Sequence, residues 1–97
     1  MRKTSQSALP GEDIVEQGLA DLARNDITDF ALLVLIASPR LRAFGLEIKE
    51  RPDLLPYEHS LYDQLSRRLD NDAHSYYNSL IRRIVSYSRA REREQSH

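Results

Sequence analysis

The 97-residue sequence contains no cysteine, no tryptophan, one methionine and only three glycines. Without cysteine there is neither a disulfide framework nor a thiolate nucleophile. Secreted domains of this size usually depend on such staples, so the composition points to the cytoplasm. Gly11, Gly18 and Gly45 lie far apart, which excludes a glycine-rich phosphate loop, and no serine sits in a Gly-x-Ser-x-Gly elbow. Valine occurs three times, leaving little material for a sheet. Long hydrophobic runs are missing too. The longest, Phe30 to Ala37, is eight residues, against the roughly 20 that a membrane-spanning helix needs. Arg2 and Lys3 are followed by the polar Thr4-Ser5-Gln6-Ser7 rather than by an apolar signal core.

What is present suffices for one modest core. Leu, Ile, Val and Phe make up about a quarter of the chain, above the roughly 20% below which disorder is expected. A chain of this length forms a single domain and buries about 60–65% of its unfolded surface. We expect residues 1–10, polar and closed by Pro10-Gly11, to form a flexible tail, and 11–97 a single helical domain.

The fold expected is all-α: a compact bundle of four to five helices. Ile14, Val15, Leu19, Leu22 and Ala23 recur near helical spacing, with acids in the first turn, and predict a first helix over Glu12–Arg24. Asp26 reads as the N-cap of a second helix, Ile27–Ala37. This helix is apolar almost all round from Phe30 onward and is therefore the central element. A strand at Phe30–Ala37 is allowed by length, but leucine outnumbers β-branched residues and nothing alternates with period two. Ser38-Pro39 reads as N-cap and first position of a short helix ending at Gly45. Residues 46–56, with Pro52 and Pro56, form the longest loop. A fourth helix covers Tyr57–Leu69, with Leu61, Tyr62, Leu65 and Leu69 inward. The last runs from Ala73 to about Arg91, carrying the stripe Ala73, Tyr76, Tyr77, Leu80, Ile81, Ile84, Val85 and Ser88. The segment beyond Arg91, alternating in charge, is expected to fray.

Fourteen basic and fifteen acidic residues leave a net charge of −1, unlike a strong nucleic-acid binder. The charges are unevenly placed: acids dominate through Asp63 and bases beyond it, so the basic C-terminal part should pack on the acidic N-terminal part. Twelve of the fourteen bases are arginine, the side chain suited to planar contacts with carboxylates.

Chemistry-bearing constellations are sparse. His59 with Asp63 and Asp70 with His74 have the i, i+4 spacing of helical metal ligands, but the spacing is common and serves surface hydrogen bonds equally well. Paired acids such as Glu12-Asp13 and Asp70 with Asp72 sit at helix starts, where capping accounts for them. No metal, cofactor or catalytic residue is assigned, and an enzyme is not expected. Ser38-Pro39-Arg40-Leu41-Arg42 invites comparison with a helix-turn-helix, yet offers few exposed side chains to reach base edges.

The last helix carries the candidate contacts. Tyr76, Arg83 and Tyr87, at spacings of seven and four, line one edge of its apolar stripe, and Tyr and Arg are enriched in interface hot spots. The competing structural account has these tyrosines bordering the core. A neighbouring polar stripe of Asn78, Arg82, Arg89 and Arg93, which Arg67 and Arg68 would extend, suits a phosphate backbone, or else a solvated face. The expectation is therefore a non-enzymatic protein that contacts another protein, or a second copy as a homodimer, through Tyr76, Arg83 and Tyr87. The alternative is a nucleic-acid-binding regulator using Arg82, Arg89 and Arg93. No membrane association is expected.

Overall fold

The computed structural model describes residues 9–95, and the expected tail lies largely outside them. Leu9 and Pro10, assigned to that tail, fall within the described part, and Leu9 packs against the core. The elements are α1 (Glu12–Ala23), α2 (Asp29–Ile36), α3 (Ser38–Ala43), α4 (Tyr57–Leu69) and α5 (Ala73–Gln95), with single 3-10 turns at Pro52–Leu54 and Asp70–Asp72. No strand occurs among the described residues. The all-α bundle expected from the periodicity is what forms, with α1, α2, α4 and α5 as its main helices and the six-residue α3 at a corner. Among the described residues no helix is long and apolar enough to cross a membrane.

α2 lies at the centre. Ala31 through Leu35 are five consecutive buried residues, as an all-round apolar helix requires. It packs against α1 on one side and α4 on the other. The crossing with α1 is at Gly18, where a Cβ would lie 2.5 Å from the Phe30 carbonyl oxygen and 2.5 Å from Val34 Cγ2. Only a residue without a side chain lets the two helices approach this closely.

The α1–α2 connection differs from expectation. Asp26 does not cap α2. Its N–H donates to the Asp21 carbonyl (2.8 Å) and the Asn25 N–H to that of Leu22 (2.9 Å), with Asn25 in the left-handed region at φ 60°. Those two bonds form a Schellman motif closing α1, so Asn25 and Asp26 belong to its end. Thr28 caps α2 instead: its hydroxyl accepts from the Ala31 N–H and donates to Asp21 Oδ2 (2.6 Å). The buried Asp21 carboxylate also accepts from the Gln17 amide (2.9 Å) and the Arg24 guanidinium (2.6 Å), joining the end of α1 to the start of α2.

The Thr28 hydroxyl above all, then the Gln17 amide, hold the Asp21 carboxyl below its ordinary value of 3.8, with Arg24 adding to the effect and burial opposing it. A lowered folded pKa gives stability that is fully present above the unfolded value and lost as pH falls through the folded one. Asp21→Asn should therefore melt several degrees below the parent at neutral pH, with the gap closing toward pH 3. Thermal melts across that range read it directly, and a constant gap would deny the linkage.

α3 begins one residue earlier than expected. Ala37 is the N-cap, Ser38 is buried inside the first turn, and Pro39 follows. Gly45, at φ 98°, ends it with a second Schellman motif, the Leu46 N–H donating to the Leu41 carbonyl (3.1 Å). Two arginines order the loop after it. Arg42 Nε donates to the Ile48 carbonyl (2.9 Å), while Arg51 grips both carboxylate oxygens of Asp53 and reaches Asn25 Oδ1 (2.9 Å).

α4 buries Leu61 and Leu65, but Tyr62, expected inward, is exposed and meets the Tyr77 ring edge-on at 5.6 Å. Asp70, which ends α4, sits at φ 53° and ψ −115°, a conformation that only glycine adopts without strain. Relieving about 1–3 kcal/mol of strain exceeds the 0.5–1 kcal/mol entropic penalty of a glycine. Asp70→Gly should raise the unfolding free energy by about 1 kcal/mol, measured by urea titration; a loss would place an unseen role on the aspartate side chain.

α5 stays helical to Gln95, past the expected fraying point at Arg91. The basic C-terminal part does meet the acidic N-terminal part: Arg68 pairs with Asp29 of α2 at 2.6 Å, and Arg83 approaches Asp13 of α1 at 3.8 Å.

Candidate functional site

α5 supplies the candidate surface, and its two edges have different fates. The apolar stripe from Tyr76 round to Val85 covers about 180° of the helix at 100° per residue, and α5 meets α4, α2 and α1 along it. Part of the stripe is nevertheless left over. The structure shows which part.

On the Tyr-Arg edge, the three expected contact residues do not make one surface. Tyr87 is only 3% exposed, and the Pro10–Gly11 segment lies across it, with a Cβ at Gly11 falling 3.3 Å from Tyr87 Cβ. Its hydroxyl accepts from Arg91 (2.8 Å), whose guanidinium also lies over the Phe44 ring at 5.2 Å. Tyr87 is thus a core residue, the competing structural account of the tyrosines. Tyr76 is 36% exposed at a shallow hollow floored by Ile27 and Phe30, and Arg83 is half exposed beside Asp13. The expected surface is reduced to two separated side chains.

The opposite edge remains open. Ile81 and Val85, one turn apart, face Ile36, Ala37 and Pro39 at the α2–α3 corner across a groove of about 340 Å³. Ile84 and Ser88 form its floor, and Arg40 and Arg89 stand on its walls. Val85 is 37% exposed although it belongs to the stripe. Sequence spacing placed Val85 on the apolar stripe, and only the placement of the other helices shows that this position is left exposed.

Arg82, Arg89 and Arg93 are all exposed and project from α5 within about 40° of one another, at spacings of seven and four. Among the described residues none of the three makes an ion pair. The other arginines once grouped with them are engaged. Arg67 pairs with Asp63 and Arg68 with Asp29, so neither extends the row. At α3, Arg40 approaches Glu92 (3.7 Å) and Arg42 is held by Ile48 and Glu50, which removes the arginine pair of the helix-turn-helix comparison.

The histidine pairs do not converge. His74 contacts Asn78 (3.2 Å) and the edge of Tyr62, and no group of three His, Asp or Glu side chains with metal-binding geometry occurs among the described residues. Burial, and then Glu58, push the Tyr77 phenol above its ordinary value at the edge of the α4–α5 contact. The arrangement on α5 is that of an aliphatic trough with a cationic margin. No family model matches the chain, and no curated protein or solved structure is significantly similar to it.

Proposed function

We propose that this chain is a small non-enzymatic helical module, acting in the cytoplasm, that engages another protein through the groove between α5 and the α2–α3 corner. The supporting observation is the exposed Val85 beside the half-buried Ile81, facing Ile36, Ala37 and Pro39. Apolar surface left open between polar walls suits a contact site, since interface cores are apolar inside a polar rim. This reading keeps α5 as the contact element and moves the contact from Tyr76, Arg83 and Tyr87 to the other edge. A homodimer is the special case in which the partner is a second copy.

The test compares tagged protein with its Val85→Glu variant for capture from host extract, each with nuclease treatment. A stoichiometric protein that survives nuclease and disappears with Val85→Glu is the expected result. Capture indifferent to Val85 would move the site elsewhere on the molecule. Light scattering of the purified chain distinguishes self-association.

One observation favours a second reading, a regulator that binds nucleic acid: the aligned row of Arg82, Arg89 and Arg93, without ion-pair partners among the described residues. Three phosphate contacts would give a slope of log affinity on log salt of about −2.7 on duplex DNA. An aliphatic trough has no task in such backbone binding, and the net charge of −1 gives no long-range attraction, so this reading stands second.

A further inference from the structure

We infer that the occupant of the α5 groove is a two-turn amphipathic helix of another protein, aliphatic on one face and acidic on the flank that meets Arg89. The inference rests on the protein-contact reading and names the chemistry of the partner.

Length comes first. From Ile81 to Arg89 the α5 wall extends about 12 Å at 1.5 Å per residue. Anchors at i, i+3 or i+4, and i+7 of an incoming helix span about 10.5 Å and fill that trough. Other peptide-binding modes lack their requirements here. Strand addition needs a sheet edge, and there is no strand among the described residues. Proline-rich segments dock in aromatic-lined grooves, and no aromatic residue lines this one.

Charge decides the flank. Between Ala73 and Arg91 the sequence has no acidic residue. Arg89 stands on the α5 wall, with Arg82 and Arg93 beyond it, and none of the three has an ion-pair partner among the described residues. The opposite wall differs, because Arg40 already faces Glu92 at 3.7 Å. The margin is therefore asymmetric. Acidic side chains of the occupant lie along α5, where they pair with arginines that give up no existing bond.

A second folded copy does not supply such a helix. The acidic α1 has Ile14 and Val15 buried in its own core, and α4 likewise buries Leu61 and Leu65. A trough of this length makes a small interface, so the expected dissociation constant is in the micromolar range, on the order of 10 μM, and weakens with salt.

The experiment is selection from a displayed library of random 16-residue peptides against the full chain and against its Val85→Glu variant. The parent should enrich sequences with aliphatic residues at i, i+3 or i+4, and i+7 together with Asp and Glu, and the variant should not. The leading peptide, synthesised with a fluorophore, should lose about tenfold in affinity on Arg89→Glu and comparably when its acids are changed to lysine. Enrichment that needs Val85 but yields basic, proline-rich or non-helical sequences overturns the acidic helix and leaves the protein-contact reading standing. No enrichment dependent on Val85 overturns both. Should Val85→Glu lose helical content by circular dichroism, Arg89→Glu, at a solvent-facing position, carries the same comparison.

Discussion

Gly18→Ala should destabilise the protein by about 1–2 kcal/mol, although helix propensity alone predicts the opposite sign. Alanine is favoured over glycine inside a helix by about 1 kcal/mol. Against that, the added Cβ would sit 2.5 Å from the Phe30 carbonyl oxygen and from Val34 Cγ2. Val34 cannot turn away without disturbing a fully buried position, and the Phe30 carbonyl belongs to the backbone of α2. The helices must separate, which loosens Ile14 and Val15 against the core. Overpacking of this kind costs about 1–3 kcal/mol and sometimes more, so the clash outweighs the propensity gain. For a domain of this size the melting temperature should fall by roughly 4–16 °C. Gly45→Ala is the control, since nothing lies within 4 Å of its Cβ position. Only the left-handed backbone at φ 98° opposes it, at about 1–2 kcal/mol. A rise in melting temperature for Gly18→Ala would mean that α1 and α2 do not cross at this residue.

The second large effect is at Leu33. Its side chain is wholly buried at the centre of α2. Leu33→Ala removes apolar contacts and leaves a cavity that the surrounding helices cannot fill. Such changes cost about 2.7–5 kcal/mol, a large part of the roughly 5–15 kcal/mol expected for a domain of this length. Urea titration should show a lower midpoint with an unchanged slope, the signature of lost stability without a change in the denatured state. Val85→Ala, on the same kind of residue but at the open groove, should stay within about 0.5 kcal/mol of the parent. The contrast checks the division of apolar surface proposed here: α2 holds the fold, and the Val85 edge of α5 is free for other use. If Val85→Ala matched Leu33→Ala, the groove would be part of the core and the proposed site would fail.

Much of this was legible before any tertiary information. Local rules placed α4 at its observed bounds and α1 within one residue, because apolar spacing and acids at the first turn are local signals. The central place of α2 followed from Phe30–Ala37 alone, since a helix with no polar face has nowhere to go but inside. The cap of α2 was misplaced because Asp26 and Thr28 are both competent N-caps, and the choice depends on Asp21 seven residues earlier. That bond requires α1 to have ended and turned back. Sequence spacing also put Tyr76, Arg83 and Tyr87 on one edge, which is geometrically right. What it could not supply was Gly11, whose close approach to Arg83 and Tyr87 covers part of that edge.

The sequence by itself determined that the protein is helical and which of its helices is central. Helical periodicity, caps and breakers act within a few residues of one another, and an apolar surface without a polar side must be buried. Tertiary structure alone decided which surface remains available. α5 meets α4, α2 and α1, and the way α1 and α2 cross at Gly18, with the chain before α1 lying on Tyr87, selects the edge that is buried. What is left, Val85 and part of Ile81 beside arginines that have no ion-pair partner among the described residues, is a remainder of packing. A remainder depends on every contact made elsewhere, which is why no local pattern in the sequence announces it.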